Sequence, residues 1–95
     1  MSQSEVVYFN GKYPPKDKAS LSILDRGFLF GDGVYELIPI HNKKIFYMEH
    51  HFQRLKKSLE LISIDSSIVE EIDFEKIINS LIDSNGYVNH FIYIQ

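Results

Sequence analysis

Tyr35 and Arg54 are the two side chains that we single out as candidates for binding a small molecule. Tyr35 comes just after Gly31-Asp32-Gly33, and with Gly27 this segment holds three of the chain's five glycines within seven positions. Glycine adopts positive φ and lets other groups approach the backbone, so we expect a tight turn at Gly31–Gly33 or a close contact with a ligand. A tyrosine hydroxyl at the start of a strand, directly after such a turn, is well placed to meet a small molecule. The alternative is an ordinary half-buried strand aromatic.

Arg54 lies in a segment with the period of an α-helix. The apolar residues Phe52, Leu55, Leu59 and Ile62 are spaced by three, four and three positions, which predicts one buried helical stripe. At about 100° per residue, Arg54 is on the flank of that stripe, from where its side chain can reach into a cleft beside a sheet. The alternative is a solvated helix charge.

The predicted strands form two hairpins and a final strand. The first hairpin joins Val6–Phe9 to Lys12-Tyr13 through Asn10-Gly11, a strong signal for a two-residue turn. The second joins a strand over Val34–His41 to Ile45–Tyr47. Alternation places the residues of the long strand on two faces. One face carries Tyr35, Leu37 and Pro39, and the other carries Val34, Glu36, Ile38 and Ile40.

Two helices are predicted after these hairpins, the first over Glu49–Ile62. Ser67 to Glu70 matches a capping box and Asp73 is a second candidate N-cap. The segment Ile68–Ser84 is therefore either one helix or a short turn followed by a main helix from Phe74. Asn85-Gly86 is expected to end it as a glycine C-cap.

The last predicted strand, Tyr87–Gln95, is apolar on both faces. Phe91 and Tyr93 lie on one face and Ile92 and Ile94 on the other, and such strands are normally covered on both sides. We therefore expect residues 1–95 to form a single domain, the N-terminal fragment of a longer two-domain polypeptide, with an exposed apolar surface. The fold class is α+β: an antiparallel sheet of hairpin-connected strands with two helices packed on it.

Composition excludes several classes of protein. The 44% hydrophobic and 24% charged content is typical of a soluble globular domain, and a net charge of -3 gives no basic surface for nucleic acid. The absence of cysteine excludes disulfides and fits a cytoplasmic protein. The polar start Met1-Ser2-Gln3-Ser4-Glu5 is not a signal peptide, and no apolar run is long enough to span a membrane. No metal site is predicted, because His50 and His51 would point about 100° apart on a helix.

Two motifs at this spacing resemble the N-terminal domain of the class IV aminotransferases, which are pyridoxal-phosphate enzymes of fold type IV. They are the runs Asp25–Glu36 and Glu49–Leu55, and the resemblance extends from Tyr8 to Gln95. Gly-Asp-Gly-Val-Tyr-Glu is most similar to the D-amino acid (D-alanine) aminotransferases. Branched-chain aminotransferases and aminodeoxychorismate lyases of the same family remain alternatives, as does a non-catalytic binding or dimerisation module.

The resemblance implies roles for individual residues. Arg54 would contact the phosphate of the cofactor, Tyr35 would face the substrate, and Leu37 would form a wall of the pocket. The lysine that holds the cofactor as a Schiff base, and the acidic partner of the pyridine nitrogen, would lie in a second domain. We therefore assign no catalytic residue within residues 1–95 and expect the fragment itself to be inactive. The full-length enzyme would be a cytoplasmic homodimer that converts D-alanine and 2-oxoglutarate to pyruvate and D-glutamate.

Overall fold

A computed structural model describes residues 5–95 of the chain. The N-terminal segment that we interpret as not being a signal peptide lies largely outside the described residues. Within them the chain forms a 3₁₀ turn, four helices and three strands. In chain order these are the turn at Lys16–Lys18, α1 (Arg26–Phe30), β1 (Glu36–His41), β2 (Lys44–Ile45), α2 (Met48–Leu61), α3 (Ile68–Glu71), α4 (Phe74–Asn85) and β3 (His90–Ile94).

The three strands form one antiparallel sheet in the order β2-β1-β3. Ile40 pairs with Ile45 across the β1–β2 hairpin, and Leu37 pairs with Tyr93 of β3. Asn42 and Lys43 form the hairpin turn with φ values of 52° and 63°, the left-handed conformation that a two-residue hairpin turn of type I′ requires. The predicted second hairpin is confirmed, although β2 ends at Ile45.

The predicted first hairpin is also present as a turn. Phe9 and Lys12 exchange backbone hydrogen bonds of 2.9 and 3.0 Å around Asn10 and Gly11, which have φ values of 49° and 83°. The segment forms only isolated β-bridges, between Val6 and Pro15 and between Phe9 and Lys12, and it is not part of β1–β3.

Helices α2 and α4 pack on one face of the sheet, as the α+β fold class predicts. The core contains Ile38 and Ile40 of β1 with Ile78 and Ile82 of α4, all at most 4% exposed. The ring of Phe52 on α2 lies 5.2 Å from that of Phe74 on α4 and closes the gap between the two helices. The buried positions alternate along β1 and recur with the helical period on α4, and their burial explains why the sequence shows both periods.

The segment after α2 follows the second of the two predicted alternatives. Asp73 caps α4 by accepting a hydrogen bond from the Lys76 backbone N–H at 3.1 Å, and Gly86 ends the helix at φ 70°. The predicted capping box at Ser67 is wrong, because the Ser67 side chain makes no capping bond. The backbone of Ser67 is already helical, and Glu70 pairs with Lys56 of α2 instead of reaching back.

A short helix in the glycine-rich segment was not predicted. Asp25 caps α1 by accepting from the Gly27 N–H at 2.8 Å, and Gly31 ends the helix in the left-handed conformation at φ 68°. The predicted tight turn at Gly31–Gly33 is therefore wrong. Residues 32–35 run from the end of α1 to β1 without regular structure.

The sheet face opposite the helices is exposed. We call the side chains of Tyr35, Leu37, Phe91 and Tyr93 on this side the open sheet face, and they are 47 to 66% exposed. Their orientation agrees with the predicted alternation in β1 and β3. Within residues 5–95, none of the helices combines the length and apolar character needed to cross a bilayer.

Candidate functional site

Tyr35 lies at a cavity of about 200 Å³ between the glycine-rich segment and β3. The ring of Tyr35 stacks on that of Tyr93, with a centroid distance of 5.8 Å and an interplanar angle of 26°. A Cβ atom at Gly31 or Gly33 would meet no atom within 4 Å, so the missing side chains leave this side of the cavity open. The lining residues are Gly27, Gly31, Asp32, Gly33, Val34, Tyr35, Tyr93 and Gln95.

The size of this cavity limits what it can hold. Sites for cofactors and drug-sized ligands usually enclose about 300 to 1,000 Å³, more than is present here. The cavity is therefore too small to enclose such a ligand by itself, and the rings of Tyr35 and Tyr93 form its apolar wall.

Glu36, the first residue of β1, points to the opposite side of the strand and is only 4% exposed. Its carboxylate accepts two hydrogen bonds from Arg54 of α2, from Nε to Oε2 at 2.9 Å and from Nη2 to Oε1 at 2.7 Å. His51 Nδ1 lies 2.7 Å from the same Oε1. A buried carboxylate needs such partners because burial without them would cost several kcal/mol.

These contacts determine the charge of the group. The hydrogen bonds from Arg54 hold the pKa of Glu36 below its usual value, and they outweigh burial, which acts in the other direction. Glu36 is therefore ionised at neutral pH and can only accept hydrogen bonds. The hydrogen bond between them therefore runs from the Nδ1–H group of His51 to Oε1 of Glu36.

Arg54 remains accessible even though Glu36 binds it. Its side chain is 65% exposed, and two of the five guanidinium N–H bonds point at Glu36. Nη2 also lies 3.5 Å from His51 Nδ1, and the three N–H bonds that Glu36 does not accept include both of those on Nη1. The hydrogen bond and charge of Glu36 raise the pKa of Arg54, and the nearby Tyr35 adds a smaller effect in the same direction. The position of Arg54 on the flank of α2, beside the buried Leu55, is as predicted.

The two predicted site residues do not share the cavity. Tyr35 lines it, whereas Arg54 is not among its lining residues and bonds to the other side of β1. Leu37 is 47% exposed and belongs to the open sheet face with Tyr35. The binding roles of all three residues remain predictions.

Glu36 and His51 were missed as members of a site. The available signal was a glutamate on the same strand face as Ile38 and Ile40, where a carboxylate has to find cationic partners. His51 and Arg54 are three positions apart on α2, so both can face one acceptor. From the sequence, His51 is interpreted only as a possible metal ligand.

Residues 33–95 match the family described as amino-transferase class IV. A D-alanine aminotransferase of Staphylococcus epidermidis is 37% identical over 89 residues, which cover 94% of this chain and 31% of that protein. One of Staphylococcus aureus is 36% identical over 93 residues, covering 96% and 32%, and one of Bacillus licheniformis is 38% identical over 89 residues, covering 94% and 31%. The chain thus spans about a third of the length of the curated relatives it matches.

Proposed function

Because this chain belongs to the class IV aminotransferase family, we propose that it is the N-terminal part of a pyridoxal-phosphate-dependent D-amino acid aminotransferase. The complete enzyme exchanges amino groups between D-alanine and 2-oxoglutarate and forms pyruvate and D-glutamate. The observation that carries this proposal is the similarity to D-alanine aminotransferases along 94 to 96% of the chain. Because those relatives are about three times as long, we further propose a two-domain enzyme, which acts as a cytoplasmic homodimer.

Arg54 is the residue proposed to bind the phosphate of the cofactor. The donor set fits a phosphate, since an exposed guanidinium with N–H bonds that Glu36 does not accept can form the paired hydrogen bonds that phosphate oxygens accept. Glu36 cancels one positive charge at this position, so a phosphate dianion also needs donors from elsewhere in the complete enzyme.

Tyr35 is the residue proposed to face the substrate. Its ring is 66% exposed at the cavity and stacks on Tyr93, which restrains the plane of the phenol. Leu37 stands two positions further along the same face and provides an apolar wall for the substrate side chain.

Pyridoxal phosphate, when bound, supplies an electron sink that stabilises negative charge at the substrate's α-carbon. The proposed contribution of residues 1–95 is to bind the phosphate and to cover one side of the substrate. The lysine that binds the cofactor belongs to the second domain in this proposal, so the lysines of this chain take no part in the chemistry.

The first test replaces Arg54 with Ala in the complete polypeptide that carries this chain. Loss of one charge-assisted contact is expected to weaken pyridoxal phosphate binding roughly 10- to 150-fold. Pyridoxal, which lacks the phosphate, should bind the two proteins equally. Lys57→Ala, which removes an exposed cation of the same helix, is the matched control and should bind the cofactor normally. Equal affinity of the Arg54 variant would remove this residue from the site.

The second test is the reaction itself. Pyruvate should form from D-alanine when 2-oxoglutarate is present and should not form from L-alanine. Amino transfer from L-leucine instead of D-alanine would support a branched-chain aminotransferase and contradict the proposal.

A further inference from the structure

We propose that Glu36 is the residue that positions Arg54 to bind the cofactor phosphate, an inference that rests on the function proposed above. The observation behind it is the pair of hydrogen bonds, 2.9 and 2.7 Å long, that join the two carboxylate oxygens of Glu36 to Nε and Nη2 of Arg54. Two bonds between planar groups fix the plane of the guanidinium, whereas one bond would leave it free to rotate.

Glu36 is itself held rigidly, which is what a positioning residue requires. Glu36 is the first residue of β1, where it pairs with Ile94 of β3, and it is only 4% exposed. His51 fixes Oε1 from the second side at 2.7 Å. The carboxylate therefore has one position, determined by the sheet and by α2 together.

Arg54 needs such a support because its side chain is long and 65% exposed. A free arginine at this position would lose rotamer freedom on binding a phosphate, at a cost of about 0.5 to 1.5 kcal/mol, or roughly 2- to 13-fold in affinity. Because Nε and one N–H of Nη2 are bound to Glu36, Arg54 already loses this rotamer freedom when the chain folds, and not when phosphate binds. The free edge of the guanidinium then carries two N–H bonds, one from Nη1 and one from Nη2, which is the pair that a phosphate can accept.

Two other roles of Glu36 have to be separated from positioning. Glu36 could serve only to join β1 to α2, in which case its effect on phosphate binding would not depend on Arg54. It could also act only through its charge, in which case any carboxylate at this position would serve.

Glu36→Asp separates these roles because it keeps the charge and shortens the side chain by one carbon. Either a hydrogen bond to Arg54 is lost, or the guanidinium follows the carboxylate by up to about 1.5 Å, the length of one C–C bond. In both cases the free edge of the Arg54 guanidinium is no longer held where it would bind the phosphate.

The readout is the ratio of the dissociation constants of pyridoxal and pyridoxal phosphate, measured in the complete polypeptide. This ratio reports the phosphate contact alone, and a general loss of folded protein does not change it. Glu36→Asp is expected to lower the ratio roughly 2- to 13-fold. In an Arg54→Ala background the same substitution should change it less than about twofold, because the two residues act as one unit. Glu71→Asp, at an exposed glutamate of α3, is the matched control and should leave the ratio unchanged.

Arg54→Lys provides a second variant that does not endanger folding, since the side chain is largely exposed. A lysine keeps the charge but cannot satisfy both oxygens of Glu36 and offer a fixed edge to phosphate. We expect it to lower the ratio nearly as much as Arg54→Ala. Full retention of the ratio would show that charge alone suffices and would overturn the proposal, even if Glu36→Asp failed to fold.

The remaining outcomes also decide the question. No change in the ratio for Glu36→Asp, or an increase, overturns the positioning role, and so does an equal decrease with and without Arg54. If Arg54→Ala itself leaves the ratio unchanged, the proposed phosphate site is wrong. A decrease for Arg54→Ala combined with no decrease for Glu36→Asp leaves that site intact and rejects only the present inference.

Discussion

Replacing Glu36 by Gln should lower the free energy of unfolding at neutral pH. The substitution should also remove part of the decrease in this free energy that occurs in acidic solution. In the folded chain Glu36 is 4% exposed and its carboxylate is bound by Arg54 and His51. Glutamine has nearly the same shape, so the substitution leaves packing in place and changes the charge and one hydrogen-bonding atom.

The magnitude follows from the exposure of the two partners. Removing one member of a fully buried ion pair costs about 3 to 5 kcal/mol, since the other charge is left without compensation. The Arg54 side chain is 65% exposed and can return to water, whereas that of His51 is 13% exposed and cannot easily do so. Glutamine also still accepts one hydrogen bond from Arg54. We therefore expect a loss of about 1 to 3 kcal/mol at pH 7, below the full value for a buried pair.

The pH dependence has a definite sign. The pKa of Glu36 is lowered in the folded chain, chiefly by the hydrogen bonds from Arg54, while a glutamate of the unfolded chain titrates near about 4.3. The stabilisation by ionised Glu36 is therefore fully present above that pH. It is lost as the pH falls from about 4.3 through the lower pKa of the folded state. The part of the difference that comes from the charge of Glu36 should be constant from about pH 7 to 5 and should shrink in more acidic solution.

Urea unfolding at a series of pH values measures this difference, provided that the slope of the unfolding free energy against urea is the same for both proteins. Glu71→Gln, at an exposed glutamate, should change stability by less than about 0.5 kcal/mol. Equal stability of the Glu36 variant and the parent at pH 7 would refute the reasoning. A difference that stays constant down to pH 3 would show that Glu36 does not stabilise the fold through its charge.

Two further predictions concern the fold. Lys43 adopts φ 63° in the β1–β2 turn, which is costly for any residue other than glycine, so Lys43→Gly should raise the free energy of unfolding by about 0.5 to 1 kcal/mol, and a lower urea midpoint would contradict this. Ile78 is 1% exposed in the core, so Ile78→Ala should cost about 2 to 5 kcal/mol. Leu61→Ala, at a 78% exposed position, should change stability by less than about 0.5 kcal/mol, and similar losses for both variants would contradict the described core.

The larger elements could be predicted because each depends on a pattern within its own segment. Leu55 and Leu59 are buried on α2 at the spacing of one helical stripe, and Ile38 and Ile40 are buried on β1 at alternate positions. Burial of one face imposes these periods, so the sequence retains them. The end of α4 could also be predicted from its own segment, since Gly86 adopts the left-handed φ that ends a helix.

The capping box and the site depend on which of several partners each side chain meets in space. Ser67 and Glu70 have the spacing of a capping box, but Glu70 pairs with Lys56 fourteen residues earlier. Glu36 likewise meets Arg54 across eighteen residues and a change from strand to helix. Periodicity places each residue on a face of its own element and does not specify how two elements are aligned. The burial of Glu36 could therefore be predicted, whereas its partners could not.

The alternation of β1 restricts where one ligand can meet both predicted site residues. Tyr35 stacks on Tyr93 of the open sheet face, whereas the Glu36 side chain and Arg54 lie on the side of the helices. A ligand that contacts both Tyr35 and Arg54 cannot lie flat on either face of the sheet and has to pass around the N-terminal end of β1. Residues 32–35 form no regular structure at that end. The space beside Gly33 is open, since a Cβ atom added there would have no other atom within 4 Å. The glycine-rich segment therefore serves the proposed site by leaving the end of the strand open, while Glu36 fixes the cationic group on its far side.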